Sequence, residues 1–175
     1  RRSRFVTIRL IPAMQVAKRS AYDIGCENEF DLAYSIGVIH HLQEPDRALA
    51  SMVTAVKPGG RVLIWVYGLE NNHWIVALLD PLRKTLFSRL PIGLVHHIAV
   101  YPTALLWFML RAGIGRIAYF HLLRSFSFRH LRSIIFDQML PKIAHYWPRE
   151  AVEHMMHNSG LTNICLIWVN EMSWS

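Results

Sequence analysis

Cysteine is nearly absent, with Cys26 and Cys165 the only two in 175 residues. Two thiols cannot build a disulfide framework, and the opening residues lack the charged start, apolar stretch and small-residue cleavage site of a secretory leader. The expectation is a reducing, cytoplasmic setting, with membrane association left open. Charge is sparse as well: 18% of residues are charged against 53% hydrophobic, which excludes a disordered chain. A chain of this length buries one substantial core, so a single domain is the starting expectation. The first residue is Arg1 rather than Met, and the closing "WVNEMSWS" still reads as strand, which suggests part of something longer.

Acid is missing where base is not. Residues 1–22 hold six Lys or Arg (Arg1, Arg2, Arg4, Arg9, Lys18, Arg19) and no Asp or Glu, while residues 69–147 hold nine against Glu70, Asp80 and Asp137. The formal net charge of +7 is therefore two basic segments around an acidic remainder. Such asymmetry suits an anionic partner or a membrane surface, and equally a solubilising surface on a fragment.

Pattern divides the chain into three regions. From Phe30 to Gly68 a buried-strand run, "FDLAYSIGVI", a helical stretch and a second run, "RVLIWVYG", make a βαβ unit with parallel strands. Pro45 opens the helix, Leu49, Met52, Val53 and Val56 recur at helical spacing, Lys57 falls in the last turn, and Pro58, Gly59 and Gly60 stop it. From Trp147 the same grammar returns: Pro148 opens a helix, Gly160 closes it, and "NICLIWV" reads as a strand. Between them, residues 69–147 carry apolar stretches at helical spacing, broken by Pro81, Pro91, Pro102 and Pro141. The window Ile92–Leu110 nearly reaches the roughly 20 residues that span a bilayer. His96, His97 and Pro102 within it and Arg111 after it favour a buried or interface-lying helix.

The stretch Phe30 to Gly68 resembles the fourth-to-fifth-strand segment of class I S-adenosylmethionine-dependent methyltransferases of the type 11 kind. The resemblance rests on Phe30-Asp31 opening the fourth strand, Val38 to Pro45 as the V-x-H-H-x-x-x-P stretch, and Lys57 to Gly60 as the KPGG turn. It implies an α/β fold: the C-terminal part of a Rossmann-like methyltransferase sheet with a large α-helical insertion. On that reading residues 1–68 are a partial core (third to fifth strands), 69–147 a helical cap, and 148–175 a return to the core with the closing helix and a truncated sixth strand. The resemblance also implies S-adenosyl-L-methionine as cofactor, with Ser20 and Ala21 at the adenine and Ser35 and Ile36 along the methionine part. Ser20 stands where the family carries an acid. Asp23 to Cys26 imitates the family's first glycine motif, but Glu27 and Glu29 occupy its glycine positions, and no room is left for the intervening strands. Neither the glycine loop nor a ribose-binding carboxylate is present in residues 1–22, and the fragment is expected to be inactive alone.

Methyl transfer from a sulfonium is an in-line displacement that asks the protein to align the reactants and exclude water. Ligands of open parallel sheets sit beyond the carboxyl ends of the strands. His40 and His41 follow that end and titrate near neutrality, which suits a general base, although the pair could equally pack the loop. Tyr67, Glu70 and Asn71 end the fifth strand and begin the insertion, where they could bind acceptor or cap a helix. No metal site is expected: His96 and His97 point different ways, and His154 and His157 lack a Cys or acidic cluster at ligand spacing. The insertion suits a small or lipid-like acceptor, or docking on an anionic membrane. The competing class is a non-catalytic, degenerate methyltransferase fold that binds a membrane or protein through that insertion. No nucleic-acid partner is expected, because the basic stretches lack a binding motif with stacking aromatics. Oligomeric state is open.

Overall fold

The computed structural model describes residues 5–6 and 16–175, so Arg1, Arg2, Arg4 and Arg9 of the first basic segment lie outside the described residues. A short antiparallel pair, β1 (Phe5–Val6) and β2 (Val16–Ala17), precedes the βαβ unit. That unit consists of β3 (Phe30–Ile36), a single tight turn at Ile39–His41, α1 (Pro45–Ala55) and β4 (Val56–Tyr67), with β3 and β4 parallel. Pro45 begins α1 where its missing N–H costs nothing, and Ala48, Leu49, Met52 and Ala55 bury one helical face.

The helix stops earlier than its sequence suggests. Lys57 belongs to β4, not to the last turn of α1, because Pro58 clashes with a helical conformation at the residue before it. Its ammonium instead donates to the Asp31 carboxylate across the strand pair at 2.8 Å. The KPGG turn bulges out of the ladder: Phe30 pairs with Val56, but Leu32 already pairs with Arg61. Gly59 takes φ +80°, which a residue with a side chain rarely adopts.

After β4 the chain turns helical. A wide turn at Ile75–Leu79 runs into α2 (Asp80–Thr85), followed by α3 (Ile92–Ile98), α4 (Val100–Arg111), α5 (Ala118–Arg124) and α6 (Phe128–Met139). The apolar window is thus two helices. Pro102 has no N–H to offer the Ile98 carbonyl, so the run breaks between α3 and α4. Then α7 (Arg149–Asn158) closes at Gly160, whose φ of +86° lets its N–H reach the His157 carbonyl.

The final strand expectation is corrected in extent. The ladder takes in only β5 (Trp168–Val169), which turns at Asn170 and Glu171, both at positive φ, into β6 (Ser173–Trp174). Ile167 and Ser175 exchange both backbone hydrogen bonds beyond it. The four strands lie in the order β3-β4-β6-β5, with β6 antiparallel to both neighbours. α1 and α7 cover the sheet face that carries Ile64 and Val66, and Leu49, Met52, Val152, Met155 and Trp174 complete that core. The opposite face carries Leu32, Tyr34 and Ile36 of β3 and Leu63 of β4, all exposed. The helices after β4 meet this face at its Trp65 and Tyr67 end.

Candidate active site

β3 and β4 run parallel, so Ser35, Ile36 and Tyr67 all arrive at the carboxyl end of the sheet, and the turn at Ile39–His41 sets both histidines beside them. His40 is fully buried against Tyr67 and His41, at ring-centroid distances of 3.9 and 4.2 Å. Burial, with the nearby His41 and His145, pushes its pKa down to about 3, so the ring is neutral at physiological pH. Neither ring nitrogen of His40 has a partner among the described residues.

His41 differs. Its Nδ1 lies 2.8 Å from the Ile143 carbonyl, which can only accept, so Nδ1 carries a proton and, in the neutral ring, the lone pair is on Nε2. His145 Nε2 donates likewise to the Leu42 carbonyl at 3.0 Å, and its backbone N–H to the His40 carbonyl. The segment before α7 is thereby tied to the histidine turn, across about a hundred residues of sequence.

Tyr67 stacks on Tyr146 at 5.2 Å, and its hydroxyl accepts from Gln138 Nε2 at 2.7 Å. Burial pushes its phenol up to about 12 despite that bond, so Tyr67 stays protonated. Its own proton has no acceptor among the described residues. Trp65, Tyr67, Tyr119, Phe120, Gln138 and Tyr146 are among the walls of a partly open cavity of about 150 Å³ between the end of β4, the helices and the β5–β6 hairpin. Two wider depressions beside α1 are open grooves. The walls are mainly apolar, with Gln138 and the phenols of Tyr67, Tyr119 and Tyr146 among the polar groups, as in a small-molecule pocket.

The structure therefore brings His40, His41 and Tyr67 together and leads Glu70 and Asn71 elsewhere. Glu70 accepts from the Arg149 N–H at 2.9 Å, at the start of α7, and from the Trp174 indole at 3.0 Å. Burial pushes its carboxyl up, but hydrogen bonds from its own N–H, Arg149, Trp174 and Leu69 outweigh this and hold it below the usual range. Asn71 Nδ2 donates to the Glu171 carbonyl, while Asn72 Nδ2 bridges the Gly68 and Met172 carbonyls. These residues cap and staple distant elements. Gln138 and Tyr146 are the site residues that motif reading passes over. The available signal was Gln138 itself, a polar residue four positions after Ile134 and seven after Leu131 on the apolar face of α6.

The residues expected to line a cofactor lie at the end of β3 and in the turn at Ser20. Ser35 is half-buried, Ile36 is 61% exposed, and Gly37, at φ +72°, has no atom within 4 Å of where a Cβ would stand. That open backbone beyond β3 fits the flank of an extended ligand. Ser20 and Ala21 sit in a tight turn in which the Ser20 hydroxyl accepts from the Tyr22 N–H, and Tyr22 Oη accepts from the Gln43 N–H just before α1. The turn is thus tied to the chain just before α1, at the same end of the sheet. No cluster of three or more His, Cys, Asp or Glu able to hold a metal occurs among the described residues.

Residues 6–64 match the family described as methyltransferase domain. The chain is similar to an uncharacterized protein of Synechococcus sp., at 45% identity over 37% of this chain and 17% of that protein. It is also similar to the probable tRNA methyltransferase 9B of Homo sapiens, at 33% identity over 45% of this chain and 21% of that protein, and to that of Mus musculus at 30% identity. The chain spans about a fifth of the length of these curated relatives. No solved structure matches.

Proposed function

We propose that the chain is part of a class I S-adenosylmethionine-dependent methyltransferase, and that the whole protein transfers a methyl group to a small or lipid-like acceptor seated in the Tyr67 cavity. The observation that carries this reading is the partly open, mainly apolar cavity built on the last residues of β4. Its 150 Å³ admits about one small ring or the head of a larger apolar molecule. In this reading residues 1–68 and 148–175 are parts of a Rossmann-like core and residues 69–147 an inserted cap.

S-adenosylmethionine supplies an electrophilic methyl group. Ser35, Ile36 and the Gly37 backbone would line its methionine part, with Ser20 and Ala21 on the adenine side. Tyr67, protonated at all working pH, donates its free hydrogen to an acceptor oxygen and orients it. His41, its Nδ1–H fixed on Ile143 and its ring 5.9 Å from that of Tyr67, stands outside the cavity walls and would serve as base for a hydroxyl or amine that reaches past Tyr67. His40 stays neutral behind Tyr67 and holds the ring in place. The aromatic walls exclude water, which methyl transfer requires.

The test is to incubate the full-length protein with methyl-labelled S-adenosylmethionine and a cell extract, then partition the label between organic-soluble, small-molecule and RNA fractions. Label in the organic or small-molecule fraction, reduced at least about tenfold by His41→Asn or Tyr67→Phe, supports the reading. Label in RNA would move the acceptor toward that named for the tRNA methyltransferase relatives. No binding of S-adenosylmethionine by calorimetry would overturn the catalytic reading.

A further inference from the structure

Residues 81–136 contain no Asp or Glu, yet carry eight Lys or Arg between Arg83 and Arg132. Four are committed within the fold. Arg83 and Lys84 pair with Asp80, Arg124 donates to the Ile114 and Gly115 carbonyls, and Arg132 donates to the His96 carbonyl. The other four, Arg89, Arg111, Arg116 and Arg129, are exposed, and none pairs with a carboxylate among the described residues.

The same region holds an apolar face that nothing covers. On α4, Tyr101, Leu105 and Phe108 repeat at i, i+4 and i+7 on one side and are 76, 64 and 71% exposed. The other side is buried: Thr103 and Leu110 are inside, and Leu106 and Trp107 pack on the Leu123–Leu131 cluster. Ile92 and Leu94 before this face and Ile114 after it are exposed too. Arg111 ends α4 with its guanidinium 4.2 Å over the Trp107 ring, one turn beyond Phe108.

We propose that the Tyr101–Leu105–Phe108 face of α4, with Arg111 at its end and the exposed Arg129 on the adjoining α6, whose neighbour Phe128 packs on Trp107, docks the protein in the headgroup layer of an anionic membrane. Aliphatic and aromatic side chains on one side of a helix, an aromatic hydroxyl at its start and unpaired cations nearby are what an interface-lying helix needs. The stretch Ile92–Arg111 has the length and composition of a membrane span. A spanning helix, however, would expose apolar side chains all round, whereas α4 commits one side to α6 and α5. A second copy is disfavoured by charge, because face-to-face pairing would set unneutralised arginines against one another with no acid to relieve them. An anionic lipid surface relieves them. This inference stands on the outer face of the helices, apart from the Tyr67 cavity, and its readout involves no methyl transfer.

The experiment is co-sedimentation of the full chain with vesicles of phosphatidylcholine alone and of phosphatidylcholine with phosphatidylglycerol at a ratio of about 2:1. The expected result is sedimentation with the anionic vesicles only, weakening as salt rises. Leu105→Glu with Phe108→Glu should lower that partition at least about tenfold, and Arg111→Glu with Arg129→Glu at least about threefold, with circular-dichroism melts matching the parent. The arginine pair lies on the surface and keeps the test decisive if the apolar pair fails to fold. Equal binding to neutral vesicles, unchanged binding by both variants, or no sedimentation overturns the proposal. So does a parent dimer, seen by sedimentation velocity, that the apolar variant dissolves.

Discussion

The sheet-side core and the helices after β4 hold together in different ways. The first is one continuous cluster drawn from both ends of the chain, with Leu49, Ile64, Val66 and Val152 at or near zero exposure. The second is two small clusters, around Val95, Ala99 and Met139 and around Leu110, Leu123 and Leu131, ringed by exposed apolar side chains. Exposed apolar side chains occur on the open face of the sheet as well, but the helices lack a continuous core to set against theirs. Polar staples join the two: Glu70 to Arg149 and Trp174, Asn72 to Met172, Glu171 Oε2 to the Ala118 N–H at the start of α5, and the histidine turn to Ile143.

Acid should strain that junction most. His40 has a folded pKa of about 3 and titrates near 6.5 when unfolded. Between those values the unfolded chain binds a proton that the folded chain does not. Stability should therefore fall by about 1.4 kcal/mol for each pH unit below about 6.5, levelling near pH 3. Urea melts from pH 7.5 to 4 measure the slope, and His40→Phe should flatten it. A slope unchanged in that variant would remove His40 as the cause.

The next largest effects compare the two cores directly. Leu49→Ala empties space in the continuous core, where α1, α7 and the sheet hold one another, and should cost about 2–5 kcal/mol. Leu131→Ala, equally buried, sits among short helices that can close over the gap and should fall at the lower end of that range. Equal costs with one shared thermal transition would make the two regions a single cooperative unit and erase the contrast.

How far the sequence shows this can be read from particular residues. Pro45, Pro148 and Gly160 mark helix ends, and the strand of Phe30–Ile36 stands where its apolar run places it, because these signals are local. Lys57 is misplaced by spacing alone, since the pull of Pro58 on the residue before it outweighs helical periodicity. The turn at Asn170 and Glu171 is faint, having Asn but not the glycine that usually accompanies it. His40, His41 and Tyr67 are legible as a group because the parallel strands deliver them to one end. Gln138, Tyr146 and the partners of Glu70 are not, for they meet only after some seventy to a hundred residues of intervening chain have folded.

Glu70 offers the middle-sized test. Glu70→Gln keeps one acceptor oxygen for two donors and should cost about 1–3 kcal/mol, with faster amide exchange at Arg149. Its depressed carboxyl pKa contributes stability that is complete above the unfolded value near 4.5 and is lost as pH falls through the folded value, so the variant should lose this part of the acid response. Exchange at Arg149 unchanged in the variant would place the capping of α7 elsewhere.

The smallest expected effect isolates what the helices are for. Leu105→Ser removes a large apolar side chain that touches little of the fold, so the melting free energy should move by no more than about 0.5 kcal/mol. Set beside Leu131→Ala in the same region, that near-silence separates the side of α4 that folds the protein from the side that does not. A loss of more than about 1 kcal/mol would mean that α4 turns Leu105 inward in solution, against a contact the folded chain does not make here, and would remove the apolar face from the surface altogether.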